Sequence, residues 1–125
     1  MTVLVDTSVW VDHFRQGNAE LVRLIEMDQA LMHPWILGEI ACGSPPARGQ
    51  TLSDLGLLRL ASQATLPEVM AFIEREKLFG VGCGLVDVAL LASTLMTPGA
   101  RLWSLDKRLA ALAERLGVGY RASVH

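Results

Sequence analysis

Runs of apolar residues separated by polar breaks divide the chain into predicted strands and helices. The first run, residues 2–5, is unbroken and stops on Asp6, which is typical of a buried strand that ends at the carboxyl edge of a sheet. Thr7 or Ser8 is expected to cap the helix that follows this strand. Further strands are predicted at residues 30–32 and 101–105, with an edge strand at 118–120.

Apolar residues that recur every three or four positions predict the helices. Thr65 and Glu68 form a predicted capping box, and Gly117 stands at a C-cap position. The helices are expected at residues 7–14, 19–27, 34–42, 48–62, 67–79, 85–96 and 107–116. The mixture of strands and helices favours the α/β class. A chain of 125 residues, 51% of them hydrophobic, suffices for one domain over residues 1–125.

Charge and composition exclude several functions. The 11 basic and 13 acidic side chains give a net charge of -2, so no global attraction draws the protein toward nucleic acids or membranes. No run of about 18 apolar residues is free of charge, and no signal-peptide pattern opens the chain. We therefore expect a soluble, cytoplasmic protein, with Cys42 and Cys83 as buried free thiols.

Four acidic residues, Asp6, Glu39, Asp87 and Asp106, lie in segments that otherwise belong in a core. Two of them end strands and two lie near the starts of apolar helices, so an α/β arrangement can bring all four to one crevice. Like charges about 4 Å apart repel by roughly 4 kcal/mol at an effective dielectric constant near 20, so the cluster needs cations or protons. Oxygen ligands suit Mg²⁺ or Mn²⁺, and such ions support hydrolysis of phosphodiesters.

Each acid also has a structural explanation. Asp6 and Asp106 are placed to cap the helices that follow them, which is a common role for aspartate after a strand. Glu39 is compatible with a solvent-facing position, and Asp87 with a favourable interaction with the helix dipole. Four such acids together are harder to explain as coincidence than any one of them.

Each of these acids lies in a short characteristic segment. The segments are Val-Asp-Thr-Ser-Val-Trp at 5–10, Ile-Leu-Gly-Glu-Ile at 36–40, Gly-Leu-Val-Asp-Val-Ala-Leu-Leu-Ala at 84–92 and Trp-Ser-Leu-Asp-Lys-Arg-Leu at 103–109. Together they resemble a known family, the PIN-domain ribonucleases, and among them the VapC toxins of bacterial toxin–antitoxin pairs. Their order, their spacing and the total chain length all fit this family.

The resemblance implies a single PIN-like domain, with a central parallel sheet flanked by helices, and a catalytic site. Asp6, Asp87 and Asp106 would hold Mg²⁺ or Mn²⁺, and Glu39 would contribute directly or through water. Ser8 and Ser104 would orient the substrate; the family often carries threonine at the position of Ser104. The expected activity is metal-dependent endoribonuclease cleavage of RNA.

The same resemblance implies the partners. They are an RNA substrate, a small VapB-like antitoxin whose C-terminal segment covers the catalytic groove, and a second copy of the chain in a homodimer. Operator DNA would be bound only through the antitoxin, and no membrane is involved.

Two alternatives stay open at this stage. One is a catalytically silent PIN-like module that binds a partner protein. The other is a phospho-acceptor domain, which needs a lysine opposite the acids; Lys77 and Lys107 do not stand in an obvious position for that role.

The remaining candidates have simpler explanations. RNA affinity would depend on local arginines, for which the candidates are Arg15, Arg48, Arg101 and Arg108. The histidines, at 13, 33 and 125, are expected at the surface or at helix ends, and the tryptophans, at 10, 35 and 103, in the core. The glycine-rich loop at 80–84 lacks the lysine of a phosphate-binding loop and is expected to be a tight connection.

Overall fold

The computed structural model of the protein describes residues 1–122. Its elements follow in the order β1 (Thr2–Val5), α1 (Thr7–Gln16), α2 (Ala19–Glu26), β2 (Ala30–Leu31), α3 (Pro34–Cys42), α4 (Arg48–Leu55), α5 (Leu66–Glu76), α6 (Leu85–Met96), β3 (Ala100–Trp103) and α7 (Lys107–Arg115). The α/β class is confirmed. His125, expected at the surface or at a helix end, lies outside the described residues.

The three strands form a parallel sheet in the order β2-β1-β3. Val3 pairs with Ala30 on one side of β1 and Val5 pairs with Trp103 on the other. Val3, Leu4 and Val5 are fully buried, as expected for the central strand of a parallel sheet covered on both faces. Because the strands are parallel, the segments that follow β1, β2 and β3 leave from the same edge of the sheet.

The predicted helix at 48–62 is wrong in its second half. Helix α4 ends at Leu55, and the chain then turns back to form a parallel bridge between Leu60 and Met32. The N–H of Met32 donates to the carbonyl of Arg59 at 2.8 Å, and the N–H of Ala61 donates to the carbonyl of Met32 at 2.9 Å. These bonds extend the line of β2, and the leucine spacing gave no sign of them.

Helix α5 begins as predicted and ends early. Thr65 and Glu68 form the predicted capping box, with each side chain accepting a hydrogen bond from the other residue's backbone N–H. The helix stops at Glu76 because Lys77 adopts a left-handed conformation with φ of 54°. The predicted edge strand at 118–120 is reduced to one bridge, between Gly119 and Leu102.

Helices α6 and α7 pack on β3, and α2 packs on β2. Trp10 and Trp103 are buried in the core, as expected, but Trp35 is 46% exposed. Helix α3 buries Ile36 and Ile40, which are one turn apart, and this turns Trp35 away from the core. The expectation of two buried thiols is wrong: Cys42 is exposed at the end of α3, and Cys83 is only partly buried. Within residues 1–122, no helix is both long and apolar enough to cross a bilayer.

Candidate active site

Asp6 stands at the carboxyl end of β1, where the chain passes from strand to helix. Its backbone is extended, with φ of −66° and ψ of 155°, and it is the N-cap residue of α1 although its side chain makes no capping bond. The carboxylate is only 7% exposed, and its Oδ2 accepts hydrogen bonds from Ser8 Oγ at 2.7 Å and Ser104 Oγ at 2.8 Å. Thr7 and Ser8 therefore belong to the first turn of α1, and neither is the predicted cap.

The two serines hold Asp6 through hydroxyls that are themselves fixed. Ser8 Oγ accepts a hydrogen bond from the N–H of Leu105 at 2.9 Å, and Ser104 Oγ accepts one from the N–H of Asp106 at 3.0 Å. Each hydroxyl thus accepts a hydrogen bond from a backbone N–H and donates a hydrogen bond to the Asp6 carboxylate. This network joins the end of β1 to the end of β3.

Glu39 lies on the exposed side of α3, and its Oε1 accepts a hydrogen bond from Thr7 Oγ1 at 2.6 Å. This bond joins the first residue of α1 to the middle of α3, so Thr7 positions Glu39. Sequence reasoning considered Thr7 only as a helix cap. The one available signal was that its hydroxyl directly follows Asp6.

Asp106 is the N-cap of α7, and its Oδ1 accepts hydrogen bonds from the N–H groups of Arg108 at 2.9 Å and Leu109 at 3.0 Å. The capping role considered from the sequence is therefore confirmed for this oxygen. Within the described residues, Oδ2 of Asp106 accepts no hydrogen bond. Capping uses one side of the carboxylate and leaves the other available.

Asp87 lies in the first turn of α6, and its carboxyl interacts electrostatically with the other three acids. Burial raises the pKa of its carboxyl, and the charges of Asp6, Asp106 and Glu39, in that order, raise it further. A hydrogen bond from the backbone of Gly84 acts in the opposite direction. The four predicted acids are therefore close enough for their charges to interact.

No lysine, arginine or histidine among residues 1–122 forms an ion pair with any of these four acids. A group of carboxylates without cationic partners is suited to a cation from solution. The described residues do not place three carboxyl, imidazole or thiol groups close enough to form a closed metal cage. An ion at this position would therefore depend on few protein ligands and on water.

Cys83, in the loop before α6, lies at the rim of the acidic group. Burial raises the pKa of its thiol, and Asp87 and Asp106 raise it further, whereas Arg108 lowers it. A thiol whose pKa is raised is a poor nucleophile at neutral pH. The pKa of Cys83 therefore reflects the acidic residues around it, and its thiol is unsuited to nucleophilic catalysis.

A cavity of about 360 Å³ opens beside Thr7 and Glu39. Its remaining lining is mainly apolar and comes from α1, the end of α3 and the segment after α3. The apolar lining includes Val11, Phe14, Ile40, Pro45 and Pro46, and Arg15 also borders the cavity. The acidic group thus continues into an apolar groove that carries one arginine.

A parallel sheet whose central strand ends on a buried aspartate, with three further carboxylates around it, defines the PIN-like class of α/β domains. Comparison with curated proteins agrees with this assignment. The chain is 42% identical over 122 residues to Ribonuclease VapC32 from Mycobacterium tuberculosis strain CDC 1551 / Oshkosh, and the match covers 98% of each chain. The same values hold for Ribonuclease VapC32 from strain ATCC 25618 / H37Rv.

No protein-family model matches the chain. At this identity and coverage, the chain belongs to the VapC family of PIN-domain ribonucleases.

Proposed function

We propose that this protein is a metal-dependent endoribonuclease that acts as the toxin of a toxin–antitoxin pair. Its relatives are named ribonucleases, and the family is that of the VapC proteins. The observation that carries the proposal is the buried Asp6 carboxylate at the carboxyl end of the central strand, which forms no ion pair within the described residues and has Asp87, Asp106 and Glu39 near it. An acidic group without cationic partners is what hydrolysis of phosphodiesters with a divalent ion requires.

The proposed cofactor is Mg²⁺ or Mn²⁺, for which Asp6, Asp87 and Asp106 are the candidate ligands, in part through bound water because the described residues do not form a closed cage, with Glu39 contributing directly or through water. The donor set fits such an ion, since all four groups are carboxylates and hard cations prefer oxygen. Within the described residues, Oδ1 of Asp6 and Oδ2 of Asp106 accept no hydrogen bond. When bound, the ion supplies Lewis-acid activation of water and of the phosphodiester.

The chain's own residues orient this site. We assign Ser8 and Ser104 to orienting the substrate by way of Asp6, because their hydroxyl protons are both directed at its Oδ2. We assign Thr7 to holding Glu39 in the same way. Loss of the Ser8 or Ser104 hydroxyl leaves Asp6 with one of its two donors, and loss of the Thr7 hydroxyl removes the hydrogen bond to Glu39.

The proposed partners are an RNA substrate, a VapB-like antitoxin and a second copy of the chain. The apolar groove beside Thr7 and Glu39 supports the proposal that a segment of the antitoxin binds there and covers the site. Operator DNA is bound only through the antitoxin, and the protein acts in the cytoplasm. The single domain expected over residues 1–125 is part of the same proposal.

Cleavage of total cellular RNA tests the proposal. We expect the purified wild type to cut RNA in the presence of Mg²⁺ or Mn²⁺ and not in EDTA. The Asp6→Asn variant should be inactive under both conditions. The matched control is Asp54→Asn, which changes an exposed acid on α4 whose partner is Gln50. Cutting by Asp6→Asn at the wild-type rate contradicts the assigned site. A folded wild type that neither cuts RNA nor binds Mn²⁺ in calorimetry contradicts the nuclease and favours the silent binding module.

A further inference from the structure

The arginines of this protein fall into two groups. Most are held by contacts away from the acids: Arg23, Arg48, Arg59, Arg101, Arg115 and Arg121 each donate hydrogen bonds to carbonyl, carboxylate or hydroxyl oxygens. Arg75 lies over the ring of Phe72. Within residues 1–122, the side chains of Arg15 and Arg108 make no hydrogen bond, ion pair or ring contact. Of the four arginines that the sequence offered as RNA contacts, the structure leaves these two uncommitted.

Arg15 borders the acidic group on the side of Glu39. It lies in the last turn of α1, is exposed, and lines the same cavity as Thr7 and Glu39. No ion pair joins Arg15 to Glu39. Its guanidinium thus shares a cavity with Glu39 but forms no ion pair with it.

Arg108 borders the acidic group on the side of Asp106. It lies in the first turn of α7, and its side chain runs over Gly82 in the loop before α6. A Cβ at Gly82 would stand 2.9 Å from Nη1, 3.0 Å from Cδ and 3.1 Å from Nε of Arg108. The Arg108 side chain therefore packs against the loop at Gly82. Gly82 also has φ of 84°, a left-handed conformation that favours glycine, whereas the flexible end of the Arg108 side chain can move away from a Cβ at this position.

The order of the strands puts these two arginines on opposite flanks. Central β1 ends on Asp6, with β2 on one side, followed by α3 and Glu39, and β3 on the other, followed by Arg108. Arg15 lines the cavity with Glu39. Each flank thus carries one guanidinium whose donors have no acceptor among the described residues.

We propose that Arg15 and Arg108 bind the RNA phosphates on either side of the one that is cleaved. The proposal rests on the ribonuclease function proposed above. A protein of net charge -2 with an acidic centre repels a polyanion, so the substrate strand needs local cations beyond the metal site. A guanidinium presents a planar fork of donors that matches a phosphate. One such fork on each flank holds the strand across the acids, so that a phosphodiester between the two contacts lies over the site.

Salt-dependent binding of RNA tests the proposal without relying on cleavage. The probe is a fluorescein-labelled 12-nucleotide single-stranded RNA, and the protein is the full chain as Asp6→Asn at fixed Mg²⁺. Arg15→Gln, Arg108→Gln and the double variant are compared with Lys77→Gln, which removes an equal charge at the end of α5. Each phosphate contact contributes about 0.7 to the slope of log K against log salt for a single strand.

We expect each arginine variant to bind the probe about tenfold more weakly, because it loses a hydrogen bond to a charged group. The slope should fall by about 0.7 for each single variant and by about 1.4 for the double variant. Lys77→Gln should change neither quantity. Arg108→Lys should retain the slope and lose part of the affinity, since it keeps the charge but not the fork.

Unchanged slopes in both single variants, with their folding verified by thermal unfolding, overturn the proposal. Equal effects of Lys77→Gln also overturn it, because the arginines would then act only through net charge. A cleavage assay on the wild type distinguishes failure of the proposed nuclease function from failure of the proposed arginine contacts. Arginine-dependent binding without cleavage contradicts the nuclease alone, whereas cleavage without arginine-dependent binding contradicts this inference alone.

Discussion

Ser104 Oγ donates a hydrogen bond of 2.8 Å to Oδ2 of the buried Asp6 carboxylate, although the two residues are 98 positions apart in the chain. The same hydroxyl accepts from the N–H of Asp106 at 3.0 Å. One side chain therefore links the acid that ends β1 to the acid that begins α7. Because its acceptor is charged and buried, this bond is expected to contribute to stability as well as to geometry.

We expect Ser104→Ala to lower the free energy of unfolding by about 1–3 kcal/mol, because a buried charged acceptor loses one of its two hydroxyl donors. RNA cleavage should fall as well. Chemical denaturation and a cleavage assay measure the two effects. Ser104→Thr is the matched control and should retain both, since it keeps a hydroxyl at the same position. An alanine variant with wild-type stability and activity would show that the bond positions nothing.

Ser93 offers the opposite case. It is fully buried in α6, and within the described residues its Oγ has no hydrogen-bond partner. Burial of an unpaired hydroxyl is unfavourable, so we expect Ser93→Ala to raise the free energy of unfolding by about 1 kcal/mol. Denaturation under the conditions used for the Ser104 variants measures this. A loss of stability would instead indicate a partner for the hydroxyl in solution.

The raised pKa of Asp87 predicts a dependence of stability on pH. In the folded protein this carboxyl retains its proton to higher pH than the usual aspartate value of 3.8, so the folded state binds more protons than the unfolded state. The free energy of unfolding therefore falls as pH rises from that value through the raised pKa. Asp87→Asn lacks this titration. In EDTA, the free energy of unfolding of the wild type should therefore fall relative to that of Asp87→Asn as pH rises through this interval.

Thermal unfolding of both proteins over a pH series measures the difference. Addition of Mg²⁺ at neutral pH should stabilise the wild type more than Asp87→Asn, since a divalent ion binds the carboxylate and not the amide. A difference in stability that does not change with pH would show that Asp87 is not under strain from its neighbours.

Two glycines in one loop separate backbone strain from contact with Arg108. Gly80 and Gly82 both have positive φ, 69° and 84°, but only Gly82 lies against the Arg108 side chain. We expect Gly80→Ala to cost about 1–2 kcal/mol from the left-handed conformation alone. Gly82→Ala should cost slightly more than Gly80→Ala, because the flexible end of Arg108 has to move, and Arg108→Ala should remove the excess. Equal costs, measured by chemical denaturation, would contradict the packing of Arg108 on the loop.

The sheet was largely predictable because its signal is local. The apolar run of β1 and its stop on Asp6 follow directly from burial on both faces of a parallel sheet. The end of α4 was missed because the leucine spacing fits a helix, whereas the bridge from Leu60 to Met32 depends on a distant strand. Trp35 was misplaced because an almost wholly apolar helix such as α3 gives no period that marks its buried side.

The four acids were found because charge within apolar segments is conspicuous. Their supports were not predictable. Ser8 and Ser104 come together only when β1 pairs with β3, and Thr7 meets Glu39 only when α1 packs on α3. Likewise, the sequence offered four arginines as RNA contacts, and only the folded chain shows that Arg48 and Arg101 are used by backbone carbonyls.

The pairing of β1 with a strand so far along the chain has a consequence during translation. A nascent polypeptide that has left the ribosome only as far as α6 already contains Asp6, Glu39 and Asp87. It lacks β3, so one edge of β1 is unpaired, and it lacks Ser104, so the Asp6 carboxylate loses one of its two anchors. Under the proposed function, we therefore expect an unfinished chain to lack nuclease activity until β3 has left the ribosome and paired with β1.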